Sequence, residues 1–463
     1  MPTSSRSLKL LVLLGLIGIL LVACSNSNGG SGATEIIAPD LQGDDDSAET
    51  DSSQEEGTNE EEPVVITMVD RWDEERMQDR MGLVNHKMDH VSIQHIQSDV
   101  TSENLQEIMA SGTTPDIITA GGVHILEELD MLLPLDDLVE QFDFDLDSLD
   151  PGLVAHIRAL DPAGEGRLIG MPDGTGYATL YYNKEIFDLF GVPYPDPEKS
   201  MTWDELLDLA REMTAERNGV KYIGLQLSSG DSVRGSSLSL PLRQFAINAT
   251  DPETGESLVT KDPRFKQYFE LLYEYYRIPS IYEWQQEHDG DMFQSNMAAM
   301  AIDWQSFLTG EYGEMEYTQE NIEIAPQPVW KDQPDTGHYL GTTPMMINKH
   351  SENIELAFEV LMEYVSKENQ TRRARTAAGG PAYIDPDLEA QYGQDDPGYK
   401  GKNVLAFYQR TPAEYEQVSR WDSFVNYDET ILKLAETDID VNTALRELEE
   451  EINVAVEEAK GQQ

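Results

Sequence analysis

The feature that most constrains this chain is a hydrophobic period that switches repeatedly, in order, from residue 64 onward. Val64-Val65-Ile66-Thr67-Met68-Val69 is an apolar, largely β-branched run with the length of a buried strand. Asp73 to Met88 changes to helical spacing, and His90 to Ile96 returns to strand character. Ser102 to Met109 reads as a short amphipathic helix, and Thr114 to Thr119 as a third strand running into Gly121-Gly122. Strand, helix, strand, helix, strand predicts βαβ units and an α/β fold built on mostly parallel sheet flanked by helices.

The alternation continues. Val123 to Leu138 reads as one leucine-rich helix, and Leu168 to Pro172 and Ala178 to Tyr182 as strands separated by Gly174 and Gly176. Thr202-Trp203-Asp204-Glu205 has the spacing of a capping box, a threonine with a glutamate three residues later. Further strands are expected at Tyr222–Leu227, Met297–Ile302, Ile322–Ala325 and Met345–Asn348, and helices at Phe265–Tyr276 and Ser351–Val365. The tail after residue 400 reads as mainly helical. With 463 residues, 39% of them hydrophobic, the chain can bury the cores of two or three domains.

The first 62 residues belong to a different class. Arg6 and Lys9 precede the apolar stretch Leu10 to Val22, which is short for a membrane span and has the layout of a secretory signal. Leu21-Val22-Ala23-Cys24 closes it and resembles the bacterial lipobox, so residues 1–23 are expected to be a lipoprotein signal peptide and Cys24 the lipidated (palmitate-bearing) N-terminus. A signal-anchor helix is the other reading of that run. Cys24 is the only cysteine, which excludes an intrachain disulfide. Residues 24–62 contain 12 acidic side chains, no basic ones and little apolar surface, the composition of a disordered, extended acidic tether. The whole sequence carries a formal charge of -55. Phosphate backbones need clustered Lys and Arg, so nucleic acid is not an expected partner. The acidity suits either a solvated surface in salt or alkaline medium or a cationic ligand.

The order of the folded pieces resembles the extracellular solute-binding proteins of bacterial ABC importers, the maltose-binding-like family. The resemblance rests on Pro115-Asp116-Ile117-Ile118, on Ile169-Gly170-Met171-Pro172 leading to Leu180-Tyr181-Tyr182-Asn183-Lys184-Glu185-Ile186-Phe187, and on Gly191-Val192-Pro193 before the capping box. Met292 to Met300 and Met346-Ile347-Asn348-Lys349 extend it over nearly the whole mature chain. It implies a two-lobed periplasmic-binding-protein type II fold with an interlobe hinge. The expected N-terminal lobe is residues 63–176 and 328–379, and the C-terminal lobe residues 177–327 and 380–463. Crossings are placed near Gly174–Ala178, Pro326–Val329 and Gly379–Ala382. The implied protein is a monomeric, lipid-anchored, non-enzymatic receptor without a cofactor. It would capture a carbohydrate or oligosaccharide at the outer face of the cell membrane and deliver it to a permease.

Sugar recognition needs flat apolar faces and planar polar groups, and in open sheets ligands lie beyond the carboxyl ends of strands. Arg71 and Trp72 directly follow the first strand, and Gly121 and Gly122 the third, where glycine permits either close backbone approach or a turn. The family often carries an aromatic at the latter position; its absence implies a ligand shaped differently from maltose-type sugars. Tyr177 lies at the expected hinge. Tyr181 and Tyr182 alternate on one strand, so at most one reaches a cleft. Asp303 and Trp304 end a strand where the family places an aromatic contact, here without the usual intervening glycine. Gly341 and Trp421 complete the ligand-contact candidates, whereas Trp203 reads as helix-start packing.

Other chemistry is poorly supported. His86 and His90 lack the neighbouring glutamate of a zinc protease, Asp143, Asp145 and Asp147 lack the glycine and distal glutamate of a calcium loop, and Gly170 to Gly176 lacks a Gly-Lys-Ser/Thr. A surface-anchored glycan-active enzyme using paired carboxylates, a non-transport sensor or adhesin of the same fold, and a receptor for a cationic or peptide-like solute are the competing readings.

Overall fold

The computed structural model describes residues 63–227, 236–288, 291–309, 320–383 and 385–462. The expected signal peptide, the expected tether and the expected lipidation at Cys24 fall on residues 1–62, outside the described residues. No helix among the described residues is long and apolar enough to cross a membrane.

The strands are β1 (Val64–Asp70), β2 (Val91–Gln97), β3 (Ile117–Thr119), β4 (Met171–Pro172), β5 (Ala178–Asn183), β6 (Ala215–Arg217), β7 (Val220–Gln226), β8 (Ala298–Trp304), β9 (Ile322–Ala325), β10 (Thr336–Gly337), β11 (Pro344–Ile347) and β12 (Thr411–Pro412). They form two five-stranded sheets, ordered β2-β1-β3-β11-β4 and β6-β7-β8-β5-β9, plus the short ribbon β10-β12. β1 pairs in parallel with β2 from Val64↔Val91 to Asp70↔Gln97, and also with β3. β7 and β8 are parallel as well. The strands by which the chain enters or leaves a sheet run antiparallel: β11 against β3 and β4, and β5 against β8 and β9. These strands arrive from the other lobe rather than through a helical crossover, so the constraint that makes βαβ units parallel does not act on them.

Local chemistry explains the helices. Asp73 caps Glu74–Lys87, its side chain accepting from the Arg76 amide. The capping box at Thr202 forms as expected, with Thr202 and Glu205 satisfying each other's backbone donors. The helix it starts, Trp203–Met213, buries Trp203, Leu206, Leu207, Ala210 and Met213. The expected single helix from Val123 to Leu138 is instead two, Val123–Glu128 and Asp136–Gln141. Asp130 adopts a left-handed φ of 58°, and Leu132 then bridges to Asn348 beside the first sheet. The tail is less helical than expected before Asp428, with only 3-10 turns at Val404–Tyr408 and Arg420–Phe424 between residues 400 and 427.

Two of the connections between the sheets are hydrogen-bonded to each other. Between β4 and β5, Thr175 pairs with Gly380 in the segment that leaves the first sheet's helices. A Cβ on Gly174 would stand 2.9 Å from the Gly380 carbonyl, and Gly174 has φ 132°, so glycine is required there. Asp173, one residue earlier, is buried and receives Arg80 Nη1 on both carboxylate oxygens at 2.7 Å, with Arg373 Nη1 on its carbonyl at 2.6 Å. Burial works to raise the Asp173 pKa, but Arg80 and Arg373 outweigh it and hold the carboxyl below its usual range. The remaining connection departs from the expected boundary at residue 328. Val329 bridges to Thr202, and Trp330 packs against Trp203 and Phe245 while its Nε1 donates to the Pro241 carbonyl. The chain therefore stays with the second sheet's helices through β10 and rejoins the first sheet at Pro344.

Candidate functional site

The carboxyl ends of β1 and β3 open onto one cavity of about 320 Å³, lined by Arg71, Trp72, Asp99, Gly121, Gly122 and Thr343. Three guanidinium carbons surround the Trp72 ring: Arg71 at 5.1 Å, Arg76 at 4.6 Å and Arg80 at 4.7 Å from its centroid. This fixes the indole through cation–π contacts and through Arg80 ties it to Asp173. Gly121 and Gly122 also border a second cavity of about 270 Å³. Its walls come from elements following both sheets: His124, Leu160 and Asp161 on one side, Gln417, Arg420 and Asp422 on the other. Across this gap the Val418 amide donates to the Ala159 carbonyl at 2.9 Å. A larger hollow of about 420 Å³ lies on the outer face of helix Trp203–Met213 and faces neither strand end.

Asp161 and Asp422 are not free carboxylates. Asp161 accepts from the amides of Ala163, Glu165 and Arg167 and from the Arg167 guanidinium, so it organises its own loop. Asp422 accepts from the Ala249 and Thr250 amides, yet burial still pushes its pKa up to about 6.

Apart from the residues lining these cavities, an aromatic cluster joins the two halves. Arg243 lies over Trp304 at 5.4 Å and over Tyr339 at 5.2 Å. Tyr339 stacks on His156 at 5.6 Å, and its other neighbour is Tyr415 at 4.9 Å. His338 meets Trp304 edge-on at 5.5 Å and donates through Nε2 to the Gly176 carbonyl at 3.1 Å, since that oxygen only accepts. Burial, then the Arg243 charge, lowers the His156 pKa to about 4. Burial likewise brings His338 to about 4, against the Gly176 carbonyl, which favours the charged form. Both rings are neutral near pH 7. The cluster thus offers apolar ring faces and a cation beside the crossings.

The structure brings Arg71, Trp72, Gly121 and Gly122 together at one cavity, and Trp304 and Gly341 together around Arg243. A Cβ on Gly341 would meet the Tyr339 ring at 3.3 Å. The remaining predicted residues lie elsewhere. Tyr177 is buried, edge-on to Tyr408 at 4.6 Å, and its amide donates to Gln305 Oε1 at 3.2 Å. Asp303 alternates away from Trp304 on β8; burial raises its pKa to about 7, and Asp291 adds to the rise. Trp421 is buried under Arg420 and Lys460 and beside Gly255, while its neighbours Arg420 and Asp422 line the cavity. A residue in a 3-10 turn alternates inward and outward in a way a sequence window does not show. Arg243, Tyr339, Tyr415 and His156 were not among the predicted contacts. Tyr339 and Tyr415 sit in loops and satisfied the criterion used for the others, whereas Arg243 and His156 lie on helices and carried no signal.

Similarity to known proteins decides the family. The sequence profile described as "Bacterial extracellular solute-binding protein" matches residues 86–371, more than half of the chain. The chain belongs to the bacterial extracellular solute-binding protein family. This solute-binding protein is similar to the arabinooligosaccharide-binding proteins of Bacillus subtilis, 23% identical over 76% of this chain and 74% of that one, and of Halalkalibacterium halodurans, 24% identical over 61% of each. The alignment thus spans less than two thirds of the length of the latter relative. Its fold resembles that of the sugar-binding protein MalE from Xanthomonas citri, with a TM-score of 0.67 at 15% identity, covering 86% of this chain and 98% of that one. Arg71, Trp72 and Arg420 of the solute-binding protein lie outside the residues matched by the profile.

Proposed function

We propose that this solute-binding protein is the lipid-anchored receptor of an ABC importer. It captures a carbohydrate or oligosaccharide between its lobes and delivers it to a membrane permease. The observation that carries the reading is the pair of adjoining cavities at the carboxyl ends of β1 and β3, walled by residues from both halves. Ring faces match the C–H faces of sugars, and Arg71, Gln417 and the backbone of Gly121 and Gly122 supply polar groups for hydroxyls. The names of the two curated relatives and of the Xanthomonas protein support a sugar. Arg71, Trp72, Gly121, Gly122, Trp304 and Gly341 are the proposed contacts. The guanidinium groups at this site disfavour a cationic solute despite the acidic chain.

A thermal-shift screen of the mature protein against arabino-, manno- and malto-oligosaccharides and against polyamines tests the ligand class. Stabilisation by at least one oligosaccharide is expected; a response to polyamines alone refutes the sugar reading. Metabolic palmitate labelling of the wild type and Cys24→Ser tests the anchor, which requires label and membrane association only with Cys24 present.

A further inference from the structure

Basic residues are scarce in this chain relative to acidic ones, 32 Lys and Arg against 87 Asp and Glu. Arg80, Arg158, Arg167, Arg211, Arg264 and Arg375 each pair with Asp or Glu. Arg243 does not. Among the described residues no carboxylate lies within 4.0 Å of it, and its side-chain hydrogen bond is from Nε to Ser239 Oγ at 3.0 Å. Among those residues its Nη1 and Nη2 have no hydrogen-bond partner, and they are not sealed from solvent. The plane of the group is held over Trp304 and Tyr339, two rings of the proposed sugar site. Arg71, which lines the cavity at the end of β1, likewise contacts Trp72 and no carboxylate among the described residues.

From this geometry we infer that the captured saccharide carries a carboxylate, as a uronic-acid residue does, and that Arg243 is the group that selects it. The inference rests on the carbohydrate reading above and narrows it. A guanidinium pre-set on aromatic faces leaves its two Nη groups for bidentate donation to a planar carboxylate, while the same rings hold the adjoining sugar face. Its position beside neutral His156 and His338 leaves it the positive charge of the cluster, with no acid among the described residues close enough to pair with it. A neutral oligosaccharide would leave those donors to water.

The test is isothermal titration of the mature protein, at low ionic strength, with a uronate-bearing oligosaccharide and its carboxyl-reduced neutral counterpart. The acidic ligand is expected to bind about tenfold or more tightly, the range of a charge-assisted hydrogen-bonded pair, and the ratio should shrink as salt is added. Arg243→Gln should bring the ratio to about one, and Arg243→Lys should keep part of it. A wild-type ratio of one or less, or a ratio unchanged in Arg243→Gln, overturns the inference while leaving carbohydrate capture intact. Binding of neither saccharide, nor of any in the screen above, overturns both. If Arg243→Gln fails to fold, the wild-type ratio and its salt dependence still test the carboxylate, and Arg243→Lys tests the residue, an unchanged ratio in that variant overturning its role.

Discussion

Thr175 and Gly380, 205 positions apart in sequence, exchange backbone hydrogen bonds: the Gly380 amide donates to the Thr175 carbonyl at 2.9 Å and the Thr175 amide to the Gly380 carbonyl at 3.2 Å. The pair binds two interlobe connections into one short ribbon. Any bending between the lobes then has to be absorbed by residues flanking this ribbon rather than within it.

Gly380 has no room for a side chain. A Cβ there would lie 2.7 Å from both the Thr175 carbonyl and Gln305 Nε2. Gly380→Ala is expected to cost about 1–3 kcal/mol, as overpacking does, read as a lowered midpoint in chemical denaturation. An unchanged midpoint would mean that the two connections separate freely.

Removing the charge of Asp173 should be more damaging. Asp173→Asn leaves Arg80 and Arg373 facing a neutral amide in a buried site, and breaking a buried pair typically costs about 3–5 kcal/mol. The loss should extend to ligand affinity, because Arg80 also holds the Trp72 ring. Isothermal titration alongside denaturation separates the two effects.

Trp304→Ala should weaken saccharide binding by about 2 kcal/mol or more, the usual cost of truncating an aromatic anchor, while the protein remains folded by circular dichroism. Full affinity in a folded variant would remove Trp304 from the site.

The pH response contains two opposing parts. His156 and His338 have folded pKa values of about 4, below the ordinary 6.5, so the unfolded chain binds more protons between those limits. Their contribution is present above pH 6.5 and is lost as pH falls toward 4. His156→Phe keeps a ring against Tyr339 and should flatten the acid-side fall in melting temperature.

Asp303 works the other way. Its folded pKa of about 7 exceeds the ordinary 3.8, so the folded chain binds more protons in that window. Its contribution is present below pH 3.8 and is lost as pH rises through 7. Asp303→Asn should match the wild type near pH 4 and exceed it at pH 8. The gain is about 4 kcal/mol at most, since each tenfold change in proton affinity is worth roughly 1.4 kcal/mol. Melting curves at the two pH values check both the sign and the size.

What could be read in advance was what depends on neighbours in sequence. β1, the capping box at Thr202 and the glycine-bearing crossing at Gly174 are local patterns, and the cavity at Arg71, Trp72, Gly121 and Gly122 follows from the rule that ligands gather at strand ends. The helix break at Asp130 was hidden because Leu132 finds its partner, Asn348, more than two hundred residues away. The Arg243 cluster was hidden for the same reason. Its members come from residues 156, 243, 304, 338, 339 and 415, and only the folded chain makes them neighbours. Trp421 shows the converse: a tryptophan in the right segment, turned inward by one position.

The bond from Val418 to Ala159 has a consequence of its own. Ala159 ends the helix Pro151–Ala159, whose last carbonyls lack partners within the helix. One of them is satisfied by an amide arriving from the other side of the cleft. Parting the two sides would expose that helix end and release the Val418 amide to solvent together. Deuterium uptake at this single peptide group should therefore track the fraction of molecules that stand open, giving the protein a built-in gauge of its own closure.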